Sequence, residues 1–324
     1  MTSINSHIQP KYYLRGFLAA KENPKHADSL FVYKKGMPFK TEGTRSEKNP
    51  ARMGLDNVAF VTNFYSFLKE DGTEDPLTYE RRLEHEIESP GNRVLDKLRP
   101  ITLAAGQSLP IRKFLGSDEQ FDFARYISGM LTRTKRARQM HDDAVLTTVA
   151  DTNRDGLSFA EMTKTAPPEE KERVLSQLRV IDPDFDEETG RFALPPKFSA
   201  DFIYKGIRGE AYPKGIFSTV DWFSKLLLAM RWQIRLLPPA YLLPTGDEPV
   251  YWTDLREPNA VLLFPISSNA IFCAYNQPDS LEMIYLEENP DEAAAHAIRI
   301  FASKCQELYF SRQDENLVDL LNAG

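Results

Sequence analysis

Apolar residues recur along this chain in two rhythms, and those rhythms assign most of its elements. Tyr13, Leu14, Phe17 and Leu18 follow Pro10 at helical spacing, and proline is favoured at a first helical position, so a short helix starts there. The runs 29–35 and 57–67 are rich in aromatic and β-branched residues and read as strands, with a polar loop over 41–50 between them. Tyr79, Leu83 and Ile87 predict a helix over 77–89 that Pro90-Gly91 stops, and Val94, Leu95 and Leu98 mark a second piece. The longest helical pattern covers 118–150. Its buried line is Ala124, Ile127, Leu131, Thr134, Val145 and Thr148, and Ser117 or Asp118 can cap it.

From 151 to 213 the chain turns polar and proline-rich, with one helical pattern over 168–178, and reads as an insertion or a lid. An amphipathic helix follows over 220–231. The runs 232–237, 250–253, 260–264 and 270–275 read as strands, and a final helix runs from Asn289-Pro290 to about Tyr309. The expected fold is therefore α+β, mainly helical with a small mixed or antiparallel sheet, in one domain over 1–324 with the insertion at 151–213. The N-terminal and C-terminal strands are expected in a single sheet, because isolated hairpins are marginal in water.

Composition narrows the classes. The chain has 324 residues, 42% of them hydrophobic, and a net charge of −7, which gives no support for a surface that coats nucleic acid non-specifically. Its two cysteines, Cys273 and Cys305, sit among apolar neighbours and lack the paired spacing of a zinc site, so they read as buried thiols of a reducing compartment. No apolar run reaches the ~20 residues needed to cross a bilayer, and the N-terminus lacks the features of a signal peptide. The expected location is the cytoplasm, with no membrane partner.

Several polar residues exceed what the fold requires. His7 and Gln9 precede the first helix start and Arg15 follows within two turns, an arrangement that suits a phosphate or carboxylate. The plainer reading has His7 hydrogen-bonded locally to brace the N-terminal arm. Glu80, Glu84 and Glu88 recur every four residues, a spacing whose like-charge repulsion costs about 0.2–0.5 kcal/mol per pair, so a bound cation or a solvated acidic face is implied. Arg125, Arg133 and Arg136 share one quadrant of the long helix, as a solvated face or as a clamp for an anionic substrate. Asp247 lies in a turn-like Thr-Gly-Asp-Glu-Pro-Val segment, where it either satisfies local backbone donors or acts as a catalytic carboxylate. Asp151, Asn153, Asp155 and Gly156 open like a calcium loop, but position twelve is Met162 and the loop fails for want of a bidentate acid. Asn289 reads as a helix cap.

The ordered series His7-Ile8-Gln9-Pro10 with Tyr13-Leu14-Arg15 and Phe17, then Asn63-Phe64-Tyr65, the Glu80–Glu84–Glu88 segment, Arg133-Thr134, Thr245 to Val250, Phe264-Pro265-Ile266-Ser267 and Asn289 resembles the bacterial family called domain of unknown function 4238. That resemblance implies neither a reaction nor a substrate; it says which positions to examine.

The leading functional expectation is a metal-assisted hydrolase acting on a phosphodiester or nucleotide, nuclease-like in its chemistry. His7, Glu84 and Asp247 would be catalytic, Gln9, Arg15 and Arg133 would bind substrate, and Glu84, Glu88 and Asp247 would hold a divalent cation such as Mg or Mn. The alternative is a non-catalytic module that binds a nucleotide or a partner; a third reading places function in the 151–213 segment. The leading reading requires His7, Arg15, Glu84 and Asp247 to converge.

Overall fold

A computed structural model describes residues 5–18, 28–37, 50–62, 64–68, 77–101, 108–141, 167–181, 211–278 and 289–310, with the single positions 40, 48, 74, 75, 143 and 186. Its elements in chain order are β1 (Asn5–His7), α1 (Lys11–Leu14) with a 3-10 turn over Arg15–Phe17, β2 (Ser29–Lys34), β3 (Ala51–Gly54), β4 (Phe60–Thr62), β5 (Phe67–Leu68), β6 (Glu74–Asp75) and α2 (Thr78–Leu83). A π-turn over Glu84–Glu88 leads into α3 (Ser89–Leu98), followed by β7 (Ser108–Pro110), α4 (Ser117–Thr132), α5 (Pro168–Ile181) and α6 (Ala211–Ala229). The C-terminal part carries β8 (Arg231–Leu236), β9 (Thr245–Gly246), β10 (Tyr251–Trp252), β11 (Val261–Ser267), β12 (Ala270–Tyr275), α7 (Pro290–Lys304) and β13 (Glu307–Phe310).

The chain divides into two compact units. The smaller takes Met1–Thr2, Tyr65–Tyr79 and Arg136–Gly215, and the larger takes Ser3–Phe64, Glu80–Lys135 and Ile216–Gly324. In the smaller unit β5 and β6 form a short antiparallel hairpin, with Phe67 edge-on to Tyr79 at 5.2 Å. Its helix α5 bears out the pattern read over 168–178. The calcium-loop-like segment, Val145, Thr148 and most of 151–213 lie outside the described residues.

The larger unit is built on antiparallel sheets. One has five strands in the order β10-β11-β12-β8-β7, a second has four in the order β3-β2-β13-β9, and β1 pairs with β4 as a separate ribbon. Helix takes 49% and strand 24% of the well-placed residues, so the protein is mixed α and β, and the expectation of a mainly helical chain with a small sheet is wrong. The expected single sheet is also corrected. β2 pairs with β13, not with the strands between 250 and 275. The two large sheets nevertheless share one core, in which Phe31 and Phe310 join Leu263, Ile271, Cys273 and the inner face of α7.

All seven residues of β11 are buried, because this sheet is covered on both faces. Val261, Leu263, Ile271 and Cys273 face α7. On the other face Phe272 meets Phe123 of α4 at 5.1 Å, and Phe264 stacks on Tyr13 of α1 at 5.1 Å. Near-continuous apolar strands follow from that double burial, and alternation is lost.

Three helix expectations change for identifiable reasons. Pro90-Gly91 does not stop the helix; the chain runs on from α2 through the π-turn into α3, with Pro90 at the start of α3. Proline lacks an N–H and clashes with the carbonyl four residues back. Here that carbonyl, of Glu86, accepts instead from Arg125 Nη1 at 3.1 Å, and the wider π-turn makes room for the ring. Gly91 is needed because a Cβ there would run into the Tyr126 ring of α4.

The long helix breaks after Thr132, where Arg133 leaves helical geometry (φ −96°, ψ 10°), and helical residues resume over 135–141. Its start is capped by Glu119 Oε2 accepting from the Gly116 amide at 3.1 Å, in place of Ser117 or Asp118. The final helix stops at Lys304, and Leu308, Tyr309 and Phe310 form β13. Similarly, 57–67 is not one strand: β4 keeps only Phe60–Thr62. Among the described residues no helix is long and apolar enough to cross a membrane.

Candidate functional site

The β1–β4 ribbon delivers the N-terminal signature to the interior. His7 pairs with Phe60 in register, and just before it Ala59 sits in the left-handed region at φ 53°, an unfavourable conformation for a residue with a Cβ. That conformation turns the Ala59 carbonyl to accept from both Ile8 N (2.9 Å) and Gln9 N (3.4 Å). The chain then enters α1, whose Tyr13 hydroxyl contacts Thr245 Oγ1 at 2.7 Å and donates to Pro265 O at 2.8 Å. Arg99 secures the same segment by donating to the carbonyls of Tyr12, Tyr13 and Ile266.

Arg133 reaches this ribbon from the end of α4. It is 1% exposed, its Nη2 donates to His7 O at 2.7 Å, and its Nη1 forms an ion pair with Glu88 Oε1. A guanidinium so buried requires a carboxylate partner. The expected solvated face of arginines therefore fails at Arg133, because the helix break turns the side chain inward.

Glu80 completes the group. One of its carboxylate oxygens, Oε2, is buried without a hydrogen-bond partner, as are His7 Nδ1, Gln9 Oε1 and Tyr126 Oη. Burial raises the Glu80 carboxyl to about 7. Arg133 opposes that rise, Glu88 adds to it, and the Ser6 hydroxyl and His7 backbone favour the charged form only weakly. The His7 imidazole moves the other way: burial and then Lys11 lower its pKa, against the Val58 backbone, Asp56 and Glu88. At neutral pH His7 is uncharged, and Glu80 is divided between its two forms.

The expected residues thus separate into groups. His7 and Arg133 touch directly, and Glu88 joins them through Arg133. Glu84 is exposed, because the π-turn rotates the residues after Leu83 and Glu88 takes its place beside Glu80. Asp247 is 6% exposed, and its Oδ1 accepts from Gln306 N at 3.0 Å and Glu307 N at 3.2 Å, which joins β9 to β13. Its pKa is raised by burial, which outweighs those two backbone donors. The Asp247 backbone carbonyl accepts from Gln9 Nε2 at 3.4 Å. Gln9 therefore spans to the Asp247 turn and caps no helix. Arg15 is exposed on the 3-10 turn. With only four residues in α1 and no side-chain cap, the helix-start anion site also fails.

No group of three or more metal-ligating His, Cys, Asp or Glu side chains gathers among the described residues, so Glu84, Glu88 and Asp247 do not form the expected cation cage. The sequence named Glu80 only as a member of the acidic stripe with Glu84 and Glu88, and it singled out neither Ser6 nor Tyr126. Glu80 had a legible signal: it lies three residues before Leu83 and seven before Ile87, on the same helical stripe as the core. Ser6 and Tyr126 had none beyond ordinary strand and helix patterning. No curated protein and no solved structure matches the chain. The family described as Protein of unknown function (DUF4238) matches residues 5–323, nearly the whole length, and the chain belongs to that family.

Proposed function

We propose that the chain binds a small polar ligand, of which a nucleotide is the first candidate, at the nest of Ser6, His7, Glu80 and Arg133. The observation that carries this reading is Glu80 Oε2, buried and unpartnered, with His7 Nδ1 in the same condition. Each such atom costs about 1–3 kcal/mol, and several together are retained where a ligand or ordered water completes them. Partial exposure of His7, Glu80 and Glu88 gives a route in.

A second reading is favoured by the same carboxyl. A group that titrates near 7 suits proton transfer, which supports a hydrolase acting on a phosphodiester or nucleotide with Glu80 as the general acid–base group. In that case Mg or Mn enters with the nucleotide phosphates and not on a protein cage. A cytoplasmic setting fits either reading, since Cys273 and Cys305 are buried free thiols.

The test is a panel of nucleoside mono- and triphosphates and bis(4-nitrophenyl) phosphate on the full chain, with and without Mg or Mn. Nucleotide that raises the melting temperature of the wild type but not of Glu80→Gln supports binding. Turnover whose pH profile bends near 7 moves the conclusion to the hydrolase. A panel that neither stabilises nor reacts sinks both.

A further inference from the structure

A strip of aromatic surface that shares no residue with the nest lies where α6 meets the five-stranded sheet. Trp222 of α6 is 48% exposed and Trp252 of β10 is 38% exposed. Both indoles stand edge-on to Phe223, at centroid distances of 4.8 and 5.4 Å. Apolar side chains exposed one at a time are ordinary. Three rings in contact, two of them open to water, have the pattern of an interaction surface.

The strand beside this strip is an open sheet edge, which is a separate, geometric observation. Among the described residues β10 pairs with β11 alone and is outermost in the sheet. Thr253 N donates to Val261 O at 3.0 Å, so residues 253 and 261 are a hydrogen-bonded pair. The next pair along the ladder, Trp252 with Leu262, is then a non-hydrogen-bonded one. The Trp252 N–H and C=O therefore point out of the sheet, and neither has a hydrogen-bond partner among the described residues. Proteins usually blunt such an edge with proline, lysine or an inward charge. The opposite edge, β7, ends in Pro110, whereas residues 250–253 read Val-Tyr-Trp-Thr and carry no such guard.

We propose that this edge takes an extended peptide segment of a partner protein, which adds as a strand beside β10. The peptide exchanges main-chain hydrogen bonds with the Trp252 N–H and C=O. Its residue opposite Trp252 lays an apolar side chain on the same face of the sheet, against Trp252 and the neighbouring Trp222 and Phe223. Backbone bonds supply affinity and the aromatic strip supplies selectivity, as in other strand additions. Size favours a peptide over a second copy of this chain. The open part of the two indoles amounts to about 200 Å², far below the roughly 800 Å² per partner that a stable dimer buries. β10 is two residues long and offers one outward pair, which matches a short segment.

The probes are end-blocked heptapeptides of alternating Thr and Val with Phe, Leu or Lys at the centre, titrated into the isotope-labelled full chain and followed by NMR. A further copy of the Phe peptide carries a methyl group on its central amide nitrogen. The Phe and Leu peptides should move the backbone amide of Trp252 and the indole N–H signals of Trp222 and Trp252, and the Lys peptide should bind more weakly. N-methylation keeps the side chain but removes the donor that faces the Trp252 carbonyl, so it should weaken binding about tenfold or more. This comparison uses the wild-type protein, so folding does not enter it. Trp222→Ala should weaken binding about fivefold at a nearly unchanged melting temperature. Binding that N-methylation leaves intact overturns the strand addition, and binding that Trp222→Ala leaves intact overturns the role of the strip. Indole signals that move with protein concentration, together with a dimer by light scattering, assign the surface to a second copy and overturn the peptide. A panel in which no peptide binds overturns it as well.

Discussion

Arg133 and His7, 126 residues apart, meet through a 2.7 Å hydrogen bond from Arg133 Nη2 to the His7 carbonyl. The contact fixes the N-terminal ribbon to the end of α4, and Glu88 neutralises the guanidinium that makes it. Removing one member of a buried pair strands the other. Arg133→Met should therefore destabilise the chain by roughly 3–5 kcal/mol, and the double variant Arg133→Met with Glu88→Leu should recover part of that loss. Denaturant midpoints of the two variants decide the matter; a double variant less stable than the single one contradicts the pairing.

Glu80 sets a pH dependence of stability with a defined sign. Its folded pKa of about 7 lies above the unfolded value near 4.5, so between those limits the folded state binds more protons. Stability from this group is fully present below about 4.5 and declines as pH rises to 7. His7, with its lowered pKa, contributes the opposite slope at acid pH, so the wild-type curve alone does not isolate Glu80. The difference between wild type and Glu80→Gln does. The variant should gain on the wild type by on the order of 2–3 kcal/mol between pH 4.5 and pH 7.5, measured by urea titration at each pH; a flat difference contradicts the burial of this carboxyl.

Ala59 tests the backbone turn that aims His7. Its left-handed φ of 53° costs a residue with a Cβ about 1–2 kcal/mol, and glycine escapes that cost. Ala59→Gly should leave the melting temperature unchanged or slightly higher, after the entropy glycine loses on folding. Ala59→Val should lower it by several degrees, and a tolerated valine would contradict the conformation.

Asp247 is assigned to structure. Asp247→Ala leaves the amides of Gln306 and Glu307 without their carboxylate acceptor and should cost about 1–3 kcal/mol. Asp247→Asn keeps one oxygen and should cost less. Ligand affinity corrected for unfolding should be unchanged in Asp247→Asn, and a selective loss of affinity at full stability would return Asp247 to the site.

The adjoining Gly246 should tolerate no side chain. A Cβ there would lie 2.5 Å from both Cys305 Sγ and Glu307 O, so Gly246→Ala should separate β9 from β13. A drop in thermal stability larger than that of Asp247→Asn is the expected result.

Local chemistry along the chain was enough to place β2, β8, β11, β12, α5 and the Asn289-capped start of α7, because each is a run of matched periodicity bounded by its own stop signals. It also marked His7, Gln9, Glu88, Arg133 and Asp247 as positions that matter. Their roles were decided by tertiary structure. Whether Arg133 meets water or Glu88 depends on a helix break at residue 133, and whether Glu84 or Glu88 lies beside Glu80 depends on a π-turn that makes room for Pro90. The pairing of β2 with β13 joins residues more than 270 positions apart, which no window of sequence contains. Glu80 shows the division most clearly. Its helical spacing put it on the buried stripe, but its elevated pKa comes from burial, with Glu88 adding to the rise and Arg133, Ser6 and His7, brought around it by separate elements, opposing it. Periodicity can say which face of a helix turns inward; the charge and hydrogen-bond balance that an inward carboxyl meets is set by what the rest of the chain packs against it.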